Sequence, residues 1–237
     1  MTQVWPDVAR QLLDRLRPAG RCRLCGRSSS QPLCQDCCAQ RLAASVTRCR
    51  RCATRLPDGG ICGACLSHPP PFSLCLTLAD YAAPLDGLLQ AIKFGAEPAL
   101  GRWFGRQLGQ RWRALDLPQP QLVLPVPLSS ARLVERGYNQ SWEIARALAA
   151  EIAAPASTRL LRRSRDDPAQ SSLQLARRAA NVRGAFVASP RVSGLRLLLV
   201  DDVMTSASTA GEASRALLRA GATGVMVAVA LRTPAPG

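Results

Sequence analysis

One aliphatic run in this chain ends in two adjacent carboxylates and is followed by a cluster of hydroxyl residues. The segment LRLLLVDDVMTSAST, residues 195–209, places Asp201 and Asp202 directly after four consecutive aliphatic side chains. A continuous aliphatic strand is typical of a parallel sheet with both faces covered, because neither face of such a strand meets water. Ligands of these sheets bind beyond the carboxyl ends of the strands. The sequence therefore predicts an α/β fold with a ligand site at Asp201 and Asp202.

Strand and helix patterns alternate along the chain from residue 74 onwards. Continuous apolar runs predict strands, and apolar residues spaced three or four apart predict the helices between them. The predicted strands are SLCLTLADY, QLVLPVPL, LRLLLV and TGVMVAVALR. The predicted helices are PLDGLLQAIKF, PALGRWFGRQLGQRWRAL, NQSWEIARALAAEI and STAGEASRALLRAG, and the basic stretch LRRSRDDPAQSSLQLARRAANVRG is predicted to be loop-rich. This alternation predicts a parallel sheet with helices on both faces.

Eight of the ten cysteines form four C-x-x-C pairs in two similar segments, RCRLCGRSSSQPLCQDC and RCRRCATRLPDGGICGAC. Two such pairs supply the four thiolates of a tetrahedral structural Zn²⁺ site. Because the N-terminal sequence lacks the pattern of a signal peptide, a duplicated array favours zinc over disulfides. We predict one or two structural zinc sites, each within one segment; ligation across the segments, a single filled site and Cys38 in place of Cys37 are alternatives. The predicted ligands are Cys22, Cys25, Cys34, Cys37, Cys49, Cys52, Cys62 and Cys65.

These patterns divide the chain into four parts. Residues 1–20 predict an amphipathic helix, 21–66 a small double zinc-ribbon module, 67–73 a proline-rich linker, and 74–237 the α/β domain. No apolar run reaches the roughly 20 residues that span a bilayer. We therefore expect a cytoplasmic protein without a membrane span, with peripheral attachment to the inner face of the membrane as an alternative.

The charge balance favours an anionic partner. The formal net charge is +15, and Lys93 is the only lysine among 31 basic residues. Such an excess attracts phosphorylated small molecules and nucleic acids. Only 4% of the residues are aromatic, so extended base-stacking platforms are not evident.

The residues after the two aspartates suit a sugar phosphate. Small residues at a helix N-terminus leave backbone N–H groups free to bind phosphate, and the helix dipole favours the anion. Hydroxyl groups of a sugar would pair with the two acids. A sugar phosphate therefore satisfies both parts of the segment at 195–209.

This segment resembles the phosphoribosyl-pyrophosphate (PRPP) signature of type I phosphoribosyltransferases. The whole chain resembles the ComF family of competence proteins and their gluconate-utilisation relatives. The motifs that carry this resemblance are the cysteine pairs, YAAPLDGLLQAIKF, LPVPLSSARLVERGYNQS, QSSLQLARRAANVRGAF and the acid-ending strand. The resemblance implies a type I phosphoribosyltransferase-like fold, binding of Mg²⁺ with PRPP or a related sugar phosphate, and a link to single-stranded DNA uptake and the competence machinery.

The resemblance also implies a role for individual residues. Asp201 and Asp202 would hold the ribose hydroxyls, and Arg132 and Arg136 would act as cationic clamps on the pyrophosphate. Asn139 and Gln140 would orient the pyrophosphate loop or cap the next helix. The 5′-phosphate would be bound by Thr205, Ser206, Ala207, Ser208 and Thr209, and the pyrophosphate would face Leu128 and Ser129. A mobile loop over the site would include Gln170, Arg178 and Asn181.

Two positions leave alternatives open. Ala207 stands where the superfamily usually has glycine; if that position needs a positive φ, alanine costs about 1 kcal/mol and phosphate binding is weaker. Lys93 either contacts phosphate or only extends from the surface of its helix. Two functions are consistent with the sequence: a Mg²⁺-dependent phosphoribosyltransferase, and a non-catalytic factor that binds single-stranded nucleic acid or acts as a scaffold on the same fold.

Overall fold

The computed structural model describes residues 20–42, 46–164 and 184–234. The chain forms two compact units that divide between residues 43 and 44. The predicted N-terminal helix and the predicted mobile-loop residues Gln170, Arg178 and Asn181 lie outside the described residues. None of the helices described is both long and apolar enough to cross a membrane.

The described part of the first unit is small and is organised by its cysteines. An antiparallel pair of two-residue strands, β1 (Gly20–Arg21) and β2 (Ser28–Ser29), precedes a short helix, α1 (Gln35–Arg41). The β1–β2 connection contains Gly26, which has a φ of +73°. A side chain would strain this left-handed conformation, so glycine suits the turn that directly follows Cys25.

The second unit is built on a four-stranded sheet with the spatial order β3-β8-β7-β4, in which every pairing is parallel. The predicted parallel sheet is confirmed. Its strands are β3 (Cys75–Asp80), β4 (Leu122–Pro125), β7 (Arg196–Met204) and β8 (Gly224–Arg232). The helices of this unit are α2 (Gly63–Ser67), α3 (Leu85–Phe94), α4 (Pro98–Ala114), α5 (Ser130–Arg136), α6 (Gln140–Glu151) and α7 (Ser208–Arg219), with a 3₁₀ turn at Pro190–Val192.

A separate antiparallel pair, β5 (Leu161–Arg163) with β6 (Phe186–Ala188), was not anticipated from the sequence. Each of these strands has only three residues, which is too short to display an alternating pattern. The stretch predicted to be loop-rich therefore begins with a strand.

Helices cover both faces of the sheet, as predicted. Leu197 and Leu199 of β7 belong to the same apolar cluster as Ala213 and Leu217 of α7. The intervening Leu198 points to the opposite face because successive side chains of a strand alternate. It is fully buried there, on the side where α6 packs against β7.

Helices α4 and α6 pack against each other unusually closely because α4 presents glycines at four-residue spacing. A Cβ atom on Gly105 would lie 2.2 Å from the Ile144 carbonyl oxygen, and one on Gly109 would lie 2.4 Å from Glu151 Cβ. Neither position has room for a methyl group. The distance between the two helices is therefore set by backbone-to-backbone contact.

Strand β7 is longer than its aliphatic run. Its parallel pairing with β8 continues past the two acids, through Asp201 opposite Val229, to Met204 opposite Arg232. Asp201 and Asp202 therefore lie inside the strand and not in the loop that follows it. The reason is that backbone hydrogen bonding to β8 holds the extended conformation regardless of side-chain polarity.

The second cysteine-rich segment, RCRRCATRLPDGGICGAC, belongs to the same compact unit as the sheet. Cys75 at the start of β3 donates its N–H to the Arg50 carbonyl at 3.1 Å, and the buried Ala53 packs into the core of the sheet. The predicted domain boundaries at 21–66, 67–73 and 74–237 remain a prediction.

Candidate functional site

A shallow cleft opens to solvent at the carboxyl end of β7. It brings Asp201 together with four of the five residues predicted to bind phosphate. Its lining consists of Asp201, Val203, Met204, Thr205, Ala207, Ser208, Thr209, Ala210 and Val229. Ser206 is exposed beside the cleft, with its Oγ 2.8 Å from Ser208 Oγ.

The two aspartates are held by different partners. Ser141 Oγ donates to Asp201 Oδ1 at 2.8 Å, and the Asp202 N–H donates to the same oxygen at 2.9 Å. Asp202 is buried and forms an ion pair with Lys93, whose Nζ lies 3.0 Å from Oδ2. Gln140 Nε2 donates to this oxygen at 3.4 Å. The first turn of α6 therefore contacts both acids.

The surroundings of the two carboxyls shift their pKa values in opposite directions. Burial, followed by repulsion from Asp202, raises the pKa of Asp201. Burial alone would also raise the pKa of Asp202, but the Lys93 ammonium outweighs it and the pKa is lowered. Adjacent carboxyls that shift in opposite directions carry one negative charge between them over the pH range that separates their titrations. Lys93 balances that charge, so the pair is suited to neutral hydroxyl groups.

The loop at 205–209 has the geometry of an anion-binding helix start. Ala207 adopts a left-handed conformation, with φ +61° and ψ +4°, immediately before α7. Within the described residues no side chain caps this helix end. The first N–H groups of α7 are thus free of side-chain caps, which is the arrangement that binds phosphate at helix N-termini. The positive φ at Ala207 meets the condition under which alanine costs about 1 kcal/mol relative to glycine.

The loop after β4 leads into α5 and carries the predicted pyrophosphate contacts. Ser129 is buried and caps α5, because its Oγ accepts the Arg132 N–H at 3.4 Å. Leu128 is half-buried before it. The role of Ser129 that the structure displays is therefore helix capping.

Arginines gather around this loop. Partial burial, together with the positive charges of Arg136 and Arg163, lowers the pKa of Arg132. Arg136 lies over the ring of Phe94, with its Cζ 5.5 Å from the ring centroid. Neither Arg132 nor Arg136 hydrogen-bonds to the two aspartates in the described part of the chain. A cluster of like charges is stabilised by an anion, and guanidinium groups match phosphate oxygens.

Asn139 caps α6, which is one of the two alternatives predicted for it. Its Oδ1 accepts the Ser141 N–H at 2.9 Å and so caps α6, and its Nδ2 donates to the Val126 carbonyl at 3.1 Å. The same side chain therefore fixes the start of α6 and the end of β4.

Two contacts at the acids escaped the sequence reasoning. Lys93 pairs with Asp202, whereas the sequence offered only phosphate or solvent as its partner. Ser141 was not singled out at all. The one available signal was that Lys93 is the only lysine in an arginine-rich chain.

Two groups of four cysteines have the geometry of structural metal sites. The Sγ atoms within each group lie within 4.8 Å of one another, and the groups are Cys22, Cys25, Cys34 and Cys37, and Cys49, Cys52, Cys62 and Cys65. The sulfurs of Cys25 and Cys34 are 3.6 Å apart, and those of Cys52 and Cys62 are 3.7 Å apart. Thiolates at about 2.3 Å from a tetrahedral Zn²⁺ lie about 3.8 Å from one another. Both groups could therefore bind zinc, and the grouping within each segment is confirmed.

In each four-cysteine group, the residue directly after the second cysteine has a left-handed backbone conformation. Gly26 follows Cys25 with φ +73°, and Ala53 follows Cys52 with φ +58°. The Cys62 N–H donates to Cys49 Sγ at 3.3 Å, a contact that stabilises a thiolate.

Comparison with known proteins identifies similar chains. DNA utilization protein YhgH of Salmonella typhi is 34% identical over 203 residues, which cover 83% of this chain and 88% of that protein. YhgH of Escherichia coli K12 is 32% identical over 201 residues, with the same coverage. Competence protein F of Haemophilus influenzae is 30% identical over 203 residues, 82% of this chain and 88% of that protein. No protein-family model matches the chain.

Solved structures resemble part of the chain. Glutamine PRPP amidotransferase from B. subtilis aligns with a TM-score of 0.38 and 23% identity, covering 54% of this chain and 25% of that one. Adenine phosphoribosyltransferase from Leishmania tarentolae aligns with a TM-score of 0.39 and 15% identity, covering 68% and 92%.

The parallel sheet, its two helical layers and the two four-cysteine groups define the class: an α/β protein with two cysteine groups that could bind zinc. Identity of 30% or more over most of both chains then narrows the class to a family. The chain belongs to the ComF family, the family of Competence protein F and the YhgH proteins.

Proposed function

We propose that this protein binds PRPP, or a related sugar phosphate, together with Mg²⁺ in the cleft at the end of β7. The observation that carries the proposal is that one cleft joins the Asp201 carboxyl to an uncapped helix start at residues 205–209. A carboxyl group accepts hydrogen bonds from sugar hydroxyls, and the helix start binds a phosphate. The names of several similar structures include PRPP or a phosphoribosyltransferase, which agrees with this assignment.

In this proposal each part of the ligand has its own partners. The ribose hydroxyls bind Asp201 and Asp202, and the 5′-phosphate binds the N–H groups and hydroxyls of residues 205–209. The pyrophosphate faces Leu128 and Ser129, with Arg132 and Arg136 supplying positive charge. Transfer of the phosphoribosyl group would need no nucleophilic side chain, because stabilising the departing pyrophosphate is the main electrostatic demand.

The residues of the cleft fit Mg²⁺ only as a partner of the ligand. Lys93 already balances Asp202, so the aspartates do not offer the ion a dedicated cage. Mg²⁺ keeps several waters and commonly binds through substrate phosphates. When bound, it would neutralise charge on the pyrophosphate.

Both four-cysteine groups are proposed to hold a structural Zn²⁺. All four ligands of each site are cysteines, which leaves the metal no open position for a substrate. We place the protein in the cytoplasm, because two groups of four cysteines that bind zinc as thiolates are typical of a reducing compartment.

Titration calorimetry with Mg²⁺ and PRPP tests the ligand proposal. Replacing both acids, Asp201→Asn with Asp202→Asn, is expected to weaken binding at least about 30-fold, since one hydrogen bond to a charged group and one to a neutral group are worth about 1.5–3 and 0.5–1.5 kcal/mol. Ala207→Gly is the matched control in the same cleft. Glycine relieves the left-handed strain at this position and is expected to tighten binding. Heats that are absent from the wild type, or equal in the wild type and the double variant, would remove the proposal.

We further propose that this ligand binding serves DNA uptake, with single-stranded DNA as a second partner. The support is the net charge of +15, the relative named Competence protein F, and an exposed Phe94 ring beneath the Arg136 guanidinium. Exposed aromatic rings beside arginines stack bases without sequence preference. Affinity for an oligonucleotide, measured by fluorescence anisotropy, is expected to fall about 10-fold between 50 and 200 mM salt. An affinity that does not change with salt would contradict this partner.

A further inference from the structure

Arg232, the last residue of β8, joins three separate segments of the second unit. The side chain is buried, and its Nε donates to the Cys52 carbonyl at 2.9 Å. Its Nη1 lies within hydrogen-bond distance of the carbonyls of Met204, Thr205 and Thr233. Cys52 is a member of the second four-cysteine group, and Thr205 is the first residue of the loop at 205–209.

The position of Arg232 follows from the register of the sheet. Arg232 pairs with Met204 across the β7–β8 ladder, and the Thr233 N–H donates to the Met204 carbonyl at 2.9 Å. The guanidinium is therefore carried to the point at which β7 ends and the loop begins. Its planar fork of five donors can bind several carbonyls at fixed angles, which an ammonium group cannot do.

The cysteine end of this connection is also firmly held. Ala53, next to Cys52, is 1% exposed and belongs to the core cluster of the sheet. Arg48 donates from Nη1 to the Ala53 carbonyl at 3.0 Å and forms an ion pair of 2.7 Å with Asp80 at the end of β3. A metal held by Cys49, Cys52, Cys62 and Cys65 would thus fix a segment that is already anchored to the sheet through Ala53 and Arg48.

We propose that Arg232 is a positioning residue that couples the second four-cysteine group to the loop at 205–209. The cysteine pair Cys49 and Cys52 fixes the position of the Cys52 carbonyl, and this carbonyl orients the guanidinium. The guanidinium in turn holds the Met204 and Thr205 carbonyls at the entry to the loop. Within the described residues the partners of the Arg232 side chain are carbonyl oxygens of these segments, so its hydrogen-bonding groups are used for positioning. The inference rests on the proposed function, because the loop is the predicted phosphate site.

Substitution of Arg232 in the zinc-loaded protein tests the coupling. Arg232→Met is expected to weaken Mg²⁺–PRPP binding about 10-fold in calorimetry, since the hydrogen bonds to the Met204 and Thr205 carbonyls at the loop entry are lost. Its zinc content should stay equal to that of the wild type. Amide hydrogen exchange at residues 205–209 should become faster. Arg232→Lys keeps the positive charge but lacks the planar guanidinium. Its affinity for PRPP is expected to lie between those of the wild type and Arg232→Met. It also provides a milder variant if the methionine substitution unfolds the protein.

Arg111 provides a matched control in the same unit. Its Nη1 also donates to backbone carbonyls, those of Thr77 and Leu78 on β3, which are not part of the loop. Arg111→Met is therefore expected to leave ligand affinity and loop exchange unchanged. An equal loss of affinity in both methionine variants, or wild-type affinity and exchange in Arg232→Met, would overturn the coupling.

A double-mutant cycle separates the coupling from simple destabilisation. Cys52→Ser is expected to weaken binding in the wild-type background, and to have little further effect in Arg232→Met, because the connection is already broken there. Additive losses would contradict the route through Arg232. If the wild type binds no PRPP, the proposed function fails, and exchange at residues 205–209 in Arg232→Met still decides the coupling.

Discussion

Replacing Lys93 with methionine is expected to destabilise the protein by about 3 kcal/mol at pH 7. The substitution leaves Asp202, which is 6% exposed, without the ammonium group 3.0 Å from its Oδ2. Removing one partner of a buried ion pair typically costs about 3–5 kcal/mol, because a charge stays buried and uncompensated. Lys93 itself is 21% exposed, which favours the lower end of that range. Urea unfolding of the zinc-loaded protein measures the loss.

The pH dependence of this loss identifies its cause. In the wild type Lys93 lowers the pKa of Asp202, so the contribution of the carboxylate is present above its ordinary pKa near 4 and is lost as the pH falls through the lowered value. Without Lys93, burial is expected to raise the pKa of Asp202 instead. The ionised form then penalises folding at neutral pH, and the penalty shrinks as the pH falls and the carboxyl takes up a proton. The difference in stability between variant and wild type should therefore be smaller at pH 5 than at pH 7.

A double variant in which neither position carries a charge supplies the control for this prediction. Adding Asp202→Asn to Lys93→Met removes the buried charge and is expected to recover most of the lost stability. Comparing variants at the same pH cancels the loss of zinc that acid causes in all of them. Two results would show that Lys93 acts through packing alone. One is a Lys93→Met protein that is equally destabilised at pH 5 and pH 7. The other is a double variant that is no more stable than Lys93→Met.

Replacing Gly105 with alanine is expected to cost about 2–3 kcal/mol, although alanine is the better helix former by about 1 kcal/mol. The added Cβ would lie 2.2 Å from the Ile144 carbonyl oxygen and 2.8 Å from Ala147 Cβ. Backbone atoms cannot move aside as a flexible side chain can, so α4 and α6 must separate. Because α6 carries Gln140 and Ser141, which contact both aspartates, PRPP affinity should fall together with stability.

Gly87 in α3 is the matched helical control. It is exposed, and an added Cβ would meet no atom within 4 Å. Gly87→Ala is therefore expected to stabilise the protein by about 0.5–1 kcal/mol, with unchanged affinity. Thermal unfolding of both variants measures the contrast, and a Gly105→Ala protein as stable as the wild type would contradict the close packing of α4 on α6.

Local sequence patterns were sufficient to predict the four strands of the parallel sheet, the four longest helices of the described residues and the two cysteine groups. The aliphatic runs at β3, β4, β7 and β8 are buried on both sides, so their composition alone distinguishes strands from the amphipathic helices between them. The C-x-x-C spacing brings two thiolates together within one turn, which is why the two four-cysteine groups followed from spacing. Asp201 was expected at the site because the end of a parallel strand is where ligands bind. What the sequence determined by itself is thus local: periodicity, spacing and the chemistry of neighbouring residues.

Contacts between distant segments were decided only by the tertiary structure. Lys93 meets Asp202, and Arg232 meets Cys52, across 109 and 180 positions of the chain. Lys93 reaches Asp202 only because the fold brings the end of α3 to β7. Arg232 reaches the backbone carbonyl of Cys52 only because the fold brings that residue to the end of β8. The sheet order β3-β8-β7-β4 also extends β7 through its two acids, since pairing with β8 continues where the aliphatic pattern has stopped. No local pattern specifies such pairings, because hydrogen bonds and ion pairs between segments depend on which strands become neighbours and in which register.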